Sequence, residues 1–177
     1  IFIKDKVSPK DIPFKLNRAQ RRVLNKLEKL RKAGKPIKFI LLKARQWGGS
    51  TLVQIYMLWI MLVHRRNWNT VICGDVETQS RNVRAMITKA LNKYPSYLLG
   101  ETVKFTPFEG SSKNKVIQNT NCVVSIGSFQ KPDTLRSGDI SGAHLTEIGL
   151  WRATPGKKPE DLIQSISGSI YDTAYTI

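Results

Sequence analysis

The stretch KFILLKARQWGGSTLVQ, residues 38–54, constrains the fold more than any other part of the chain. A nearly continuous apolar run, Ile37–Leu42, follows Pro36. Such a run suits a short strand buried on both faces. A Gly-Gly turn follows at Gly48–Gly49, then a long apolar helix from about Ser50 to His64. A buried strand that enters a tight loop and leaves as a helix is the architecture of a phosphate cradle. Free backbone N–H groups and the positive end of the helix dipole face the anion. The common pattern is G-x-x-x-x-G-K-S/T. Gly48 matches its second glycine and Ser50 its hydroxyl, but Gly49 stands in the place of the lysine and Lys43 in that of the first glycine. The cationic charge that a triphosphate needs would then come from Lys43 and from Arg45 within the loop, with the Ser50 hydroxyl for Mg²⁺. The bland alternative is an ordinary Gly-Gly turn with Ser50 as a helix cap.

The remaining elements alternate. Asn17–Ala33 reads as a helix, with Val23, Leu27 and Leu30 on one face and a capping box between Asn17 and Gln20. Thr70–Cys73 reads as a second buried strand, and Glu77–Asn92 as a second amphipathic helix. Residues 100–131 break into short alternating pieces, Thr102–Phe108, Lys115–Gln118 and Cys122–Ser125, separated by turn residues. Ala143–Leu145 reads as a strand ending at Thr146-Glu147, Glu160–Ser167 as a helix, and a last strand is expected near Ala174. Strands alternating with helices argue for an α/β fold: a mainly parallel sheet with helices on both faces, and a small β-rich insertion around 100–131.

Charge supplies the next constraint. The 177 residues carry a net +16. Residues 1–66 hold 17 basic and three acidic residues, so the first third carries nearly all of the excess. That favours a polyanionic partner, although a basic helix face can also be plain solvated surface. The longest apolar run, Leu52–Val63, is 12 residues and includes Gln54, too short for a membrane span. Cys73 and Cys122 lie in apolar runs and read as reduced, buried thiols. The His and Cys residues are scattered, with no zinc-ligand spacing, and His144 reads as a core residue. The four tryptophans read as packing residues, with Trp47 a partial exception because of its place in the loop. The start without Met and the last residues, YDTAYTI, read as those of a fragment.

RQWGGST, preceded by Lys43 and followed by an apolar helix, resembles the Walker A segment of large terminase subunits, the DNA-packaging motors of tailed phages. FKLNRAQ resembles the adenine-binding Q motif of that family, and LRSGDISGAHLTEIGLW its Walker B region. The resemblance runs from about Phe14 to the C-terminus. It implies a P-loop NTPase domain (RecA/ASCE-like) that is incomplete at its C-terminus, without the coupling motif and the nuclease domain. It implies a Mg²⁺-dependent ATPase driving double-stranded DNA into a procapsid in the host cell cytoplasm. Small terminase subunit and portal would be partners, and the chain would be a homo-oligomer on the portal. Carried over, Lys43, Ala44, Arg45, Gln46, Trp47, Gly48, Gly49, Ser50 and Thr51 surround the phosphates, with Lys43 and Arg45 on the charge and Ser50 on the metal. Gln20 would read the adenine edge and Phe14 would offer a stacking surface, although Gln20 equally serves the capping box. Glu147 takes the place of the catalytic carboxylate. Thr146 stands where a standard Walker B strand has Asp, as in family members with Ser or Thr at that place, and would reach Mg²⁺ only through water. Arg136 resembles an arginine just ahead of Walker B. Two rivals remain: a helicase-type ATPase, and a non-catalytic DNA-binding module with a relic loop.

Overall fold

The computed structural model describes residues 1–4, 8, 10–44, 46–98, 100–135 and 139–170. Arg45, Arg136 and the expected strand near Ala174 lie outside the described residues.

Helix α1 (Arg18–Lys32) starts where its sequence tells it to. The Asn17 side chain accepts from the Gln20 amide at 2.8 Å, and the Gln20 side chain accepts from the Asn17 amide at 3.0 Å. Two otherwise orphaned donors are thereby satisfied. A small antiparallel hairpin, β1 (Phe2–Lys4) and β2 (Asp11–Pro13), precedes it and was not legible in the sequence. Helix α2 (Gly49–Trp59) continues as a wider π-turn, Ile60–His64, so the expected apolar helix reaches its expected end. Strand β3 (Asn69–Gly74) and helix α3 (Glu77–Asn92) follow, and Lys89 of α3 and Lys93 at its C-cap clasp Asp11 of the hairpin.

The remaining strands are β4 (Phe105–Phe108), β5 (Ser111–Ile117), β6 (Cys122–Ser128) and β7 (Gly142–Leu145), and α4 (Pro159–Ser169) ends the described chain. The sheet runs β4-β5-β6-β3-β7. β6, β3 and β7 are parallel; β4 and β5 extend them antiparallel. Residues 100–131 are therefore no separate insertion, because β6 pairs directly with β3 and completes the parallel centre. β3 sorts its side chains by alternation. Ile72 joins a core with α1, α2 and α3, whereas Val71 and Cys73 join one with α4, so helices cover both faces. Cys73 and Cys122 are buried free thiols, and burial pushes the Cys73 thiol up to about 12.

Ile37–Leu42 differs from expectation. It takes no place in the sheet among the described residues. Ile37 is fully buried, but Ile40 and Leu42 are 97% and 99% exposed. A strand buried on both faces needs a ladder as well as apolar side chains, and this segment has only the latter. Among the described strands β7 pairs with β3 alone.

Candidate functional site

The orientation of α2 decides where its loop lies. At its midpoint, Gln54 meets His144 of β7, with Gln54 Nε2 2.6 Å from His144 Nδ1. Beyond its C-terminal end, Met61 lies against Thr70 at the start of β3. α2 therefore runs antiparallel to the parallel strands, and its N-terminus sits at their carboxyl ends. Ligands of open α/β sheets bind at that end.

The Gln54–His144 contact ties α2 to β7. Ser50 and Gln54 share a helix face, about 6 Å apart along the axis at 1.5 Å per residue. His144 and Thr146 share a strand face, about 6.6 Å apart. Stepping from Gln54 back to Ser50, and from His144 forward to Thr146, moves the same distance in the same direction. His144 is buried, and its pKa falls to about 4, first through burial and then through the Lys43 charge. The imidazole is neutral and accepts from the Gln54 amide at Nδ1. The Gln54 side-chain oxygen is buried without a partner among the described residues. Neither residue's link was legible in the sequence, because they lie 90 positions apart.

The loop is held by side chains rather than by a ladder. Gly48 has φ +80°, and a Cβ there would stand 2.8 Å from Gln20 Nε2. That Gln20 nitrogen donates to the Gly48 carbonyl at 3.0 Å, and Asn17 Nδ2 reaches the Trp47 carbonyl at 3.5 Å. Both ends of the Gln20 amide are thus engaged, one on the helix cap and one on the loop. A Cβ on Gly49 would stand 2.7 Å from Lys43 Cδ and 2.9 Å from Trp47 Cε3. Lys43 and Trp47 thus converge on the first residue of α2, and a larger residue there would have to push their side chains aside. Ala44 and Gln46 are exposed, Gln46 with φ +57°. Ser50 and Thr51 are half-buried in the first turn, the Thr51 hydroxyl lying 3.7 Å from Met86 Sδ. Phe14 lines an apolar cleft of about 320 Å³ together with Leu24, Leu52, Tyr56 and Trp59. Gln20 is not part of its lining.

Opposite the loop, the ends of β3, β6 and β7 carry a chain of polar contacts. The Thr146 amide donates to the Cys73 carbonyl at 2.8 Å, which ends the β7 ladder. Glu147 follows with φ +56°, a left-handed conformation that costs a non-glycine residue about 1 kcal/mol. Its exposed carboxylate accepts from Gln79 Nε2 at 3.1 Å, while Gln79 Oε1 accepts from the Asp75 amide at 2.9 Å. Asp75 in turn accepts from Gln130 Nε2 at 3.0 Å. Gln79, in the first turn of α3, links Glu147 to Asp75, and no motif announced it. Among the described residues no cluster of three or more His, Cys, Asp or Glu could cage a metal. No helix among the described residues is long and apolar enough to cross a membrane.

No family model and no curated protein matches the chain. Solved structures do. The large terminase of bacteriophage HK97 shares its fold at a TM-score of 0.72 and 23% identity, over 93% of this chain and 33% of that one. The large terminase of a thermophilic bacteriophage does so at 0.66 and 14% identity, over 92% of this chain and 38% of that one. The chain thus has an α/β fold found in phage large terminases and spans 33% to 38% of their length.

Proposed function

We propose that this chain is the ATP-hydrolysing part of a phage large terminase, a Mg²⁺-dependent motor domain of P-loop NTPase type that drives double-stranded DNA into a procapsid. The observation that carries the reading is the Gln54–His144 contact, which sets a glycine loop at a helix N-terminus beside a strand end bearing Thr146 and Glu147. In this reading the two halves of a nucleotide-hydrolysing site would meet there, with a loop that lacks the usual lysine. The terminase fold, read together with the loop and strand-end motifs, supports the same conclusion.

In this reading the amides of the loop and of the first turn of α2 hold the phosphates. Lys43 and Arg45 offset negative charge, with Ala44, Gln46, Trp47 and Thr51 shaping the loop around them. Ser50 would hold Mg²⁺, and Thr146 would reach it through water. The metal ion, when bound, offsets charge on the reacting phosphates. Phe14 and its cleft would take the apolar face of the base, with Gln20 tying the loop to α1. Glu147 orients a water for in-line attack and takes its proton, and Gln79 keeps that carboxylate aimed. An arginine from a neighbouring copy would complete the site in the homo-oligomer on the portal, and the small terminase subunit would deliver DNA in the host cell cytoplasm.

The test is Mg²⁺-dependent ATP turnover and nucleotide binding in wild type and Glu147→Gln. The variant should keep its nucleotide affinity and lose turnover by about 10²-fold or more, the range for removing a general base. Equal turnover would eliminate Glu147 from the chemistry. In parallel, Lys43→Ala should weaken nucleotide binding; an unchanged affinity would leave the cationic role to Arg45.

A further inference from the structure

The outer face of α1 is built almost entirely of cations. At about 100° per residue, Arg18, Arg21, Arg22, Lys26, Lys29 and Lys32 fall within an arc of about 140°, and the one other residue in that arc is Asn25. All seven are exposed. Val23, Leu24, Leu27 and Leu30 occupy the opposite side and pack into the core. The single acidic residue of the helix, Glu28, is turned inward, where it accepts from the Tyr56 hydroxyl at 2.7 Å and pairs with Arg31. Arg18, Arg22, Lys26 and Lys29 form no ion pair among the described residues.

Two local rules are broken by this arrangement. Arg18–Arg22 and Arg22–Lys26 are like-charged pairs at i,i+4, which weaken a helix. Arg18 and Arg21 stand in the first turn, which holds no acidic residue, where cations oppose the helix dipole. A solvated helix face selected for stability mixes its signs. A face that gives up helix stability at both counts is one where function has overridden local preference.

We infer that the outer face of α1 is a docking surface for the phosphate backbone of duplex DNA. The geometry separates this partner from other anions. The cations are spread along about 21 Å of helix axis rather than gathered on one point, so a lone phosphate does not match them. That length runs beside about six phosphates of one strand. The arc contains no apolar residue to enter a bilayer and no aromatic residue on which an unpaired base would stack. The surface is independent of the nucleotide site, so its test needs no ATP.

The experiment measures binding of a short blunt DNA duplex by the chain across a salt titration, without nucleotide. Arg22→Gln/Lys26→Gln/Lys29→Gln removes three charges from the arc; Lys104→Gln/Lys131→Gln/Lys158→Gln removes three exposed charges elsewhere. The α1 triple variant should flatten the slope of log K against log salt by about 2.7 and weaken binding at moderate salt by about tenfold or more, while melting no lower than wild type. The control should bind within about twofold of wild type. Asn25→Lys should steepen the slope by about 0.9. Equal losses in the two triple variants, or no loss in either, would overturn the assignment, as would an Asn25→Lys protein whose slope does not change.

Discussion

Two apolar segments of equal length, Ile37–Leu42 and β3, read alike in the sequence and end in opposite circumstances. β3 lies between β6 and β7, fully laddered, with every residue after Asn69 buried. Ile37–Leu42 has no sheet partner among the described residues and leaves Ile40 and Leu42 in water. Apolar sequence states that a segment can be buried; a neighbour with free N–H and C=O groups decides whether it becomes a strand. The candidate site inherits the difference. Its strand-end half, Thr146 and Glu147, is fixed by ladder bonds and by Gln79. Its loop half is held by side chains without a ladder among the described residues: Gln20 on Gly48, Lys43 and Trp47 beside Gly49, and Gln54 on His144 through the helix.

The buried link between the halves gives the largest expected effect. The folded pKa of His144, about 4, lies below its ordinary 6.5. The unfolded chain therefore binds the extra proton between those values, and stability is full above about pH 6.5 and lost as pH falls toward 4. The loss amounts to about 3 kcal/mol. Replacing both partners by apolar groups, Gln54→Leu/His144→Leu, should remove that share of the pH dependence while leaving the fold intact. Denaturant melts at a series of pH values measure it, and identical profiles for variant and wild type would dissolve the link.

The same substitution on each half sharpens the contrast. A Cβ on Gly127, in β6, would stand 2.2 Å from Leu135 Cδ2 in the core. Gly127→Ala should therefore cost about 2 kcal/mol of stability by overpacking. Gly49→Ala meets the flexible end of Lys43 and the Trp47 ring, which can yield. Its melting temperature should stay near wild type while nucleotide affinity falls by about tenfold, or about 1.4 kcal/mol. A Gly49→Ala protein that binds nucleotide normally would argue against a close approach of the ligand to this backbone. The smallest effect belongs to Gln79→Ala. Turnover should fall about fivefold with KM unchanged, because one exposed hydrogen bond of about 1 kcal/mol orients the carboxylate. A change in KM alone would assign Gln79 to binding.

Local signals carried most of the fold. The capping box of α1, the span of α3 and the strand ending at Thr146-Glu147 are set by residues within a turn or two, and they were legible. The unpaired Ile37–Leu42, the pairing of β6 with β3 and the Gln54–His144 contact depend on partners far along the chain, up to 90 positions away, and periodicity does not encode them. The turn at Gly48, the start of α2 beside Ser50 and the strand end before Glu147 were legible because turn and strand-end chemistry is written in residue type. Gln79 was not, since a glutamine in a helical first turn looks like any surface residue until its neighbour across the sheet is known.

Hydrogen exchange at the amides of Trp47 to Thr51, with and without a non-hydrolysable ATP analogue and Mg²⁺, probes the loop backbone itself. Nucleotide should slow these amides markedly, with β3 slow throughout and unchanged. Exchange that stays fast across Trp47–Thr51 at saturating nucleotide would contradict a phosphate site in this loop.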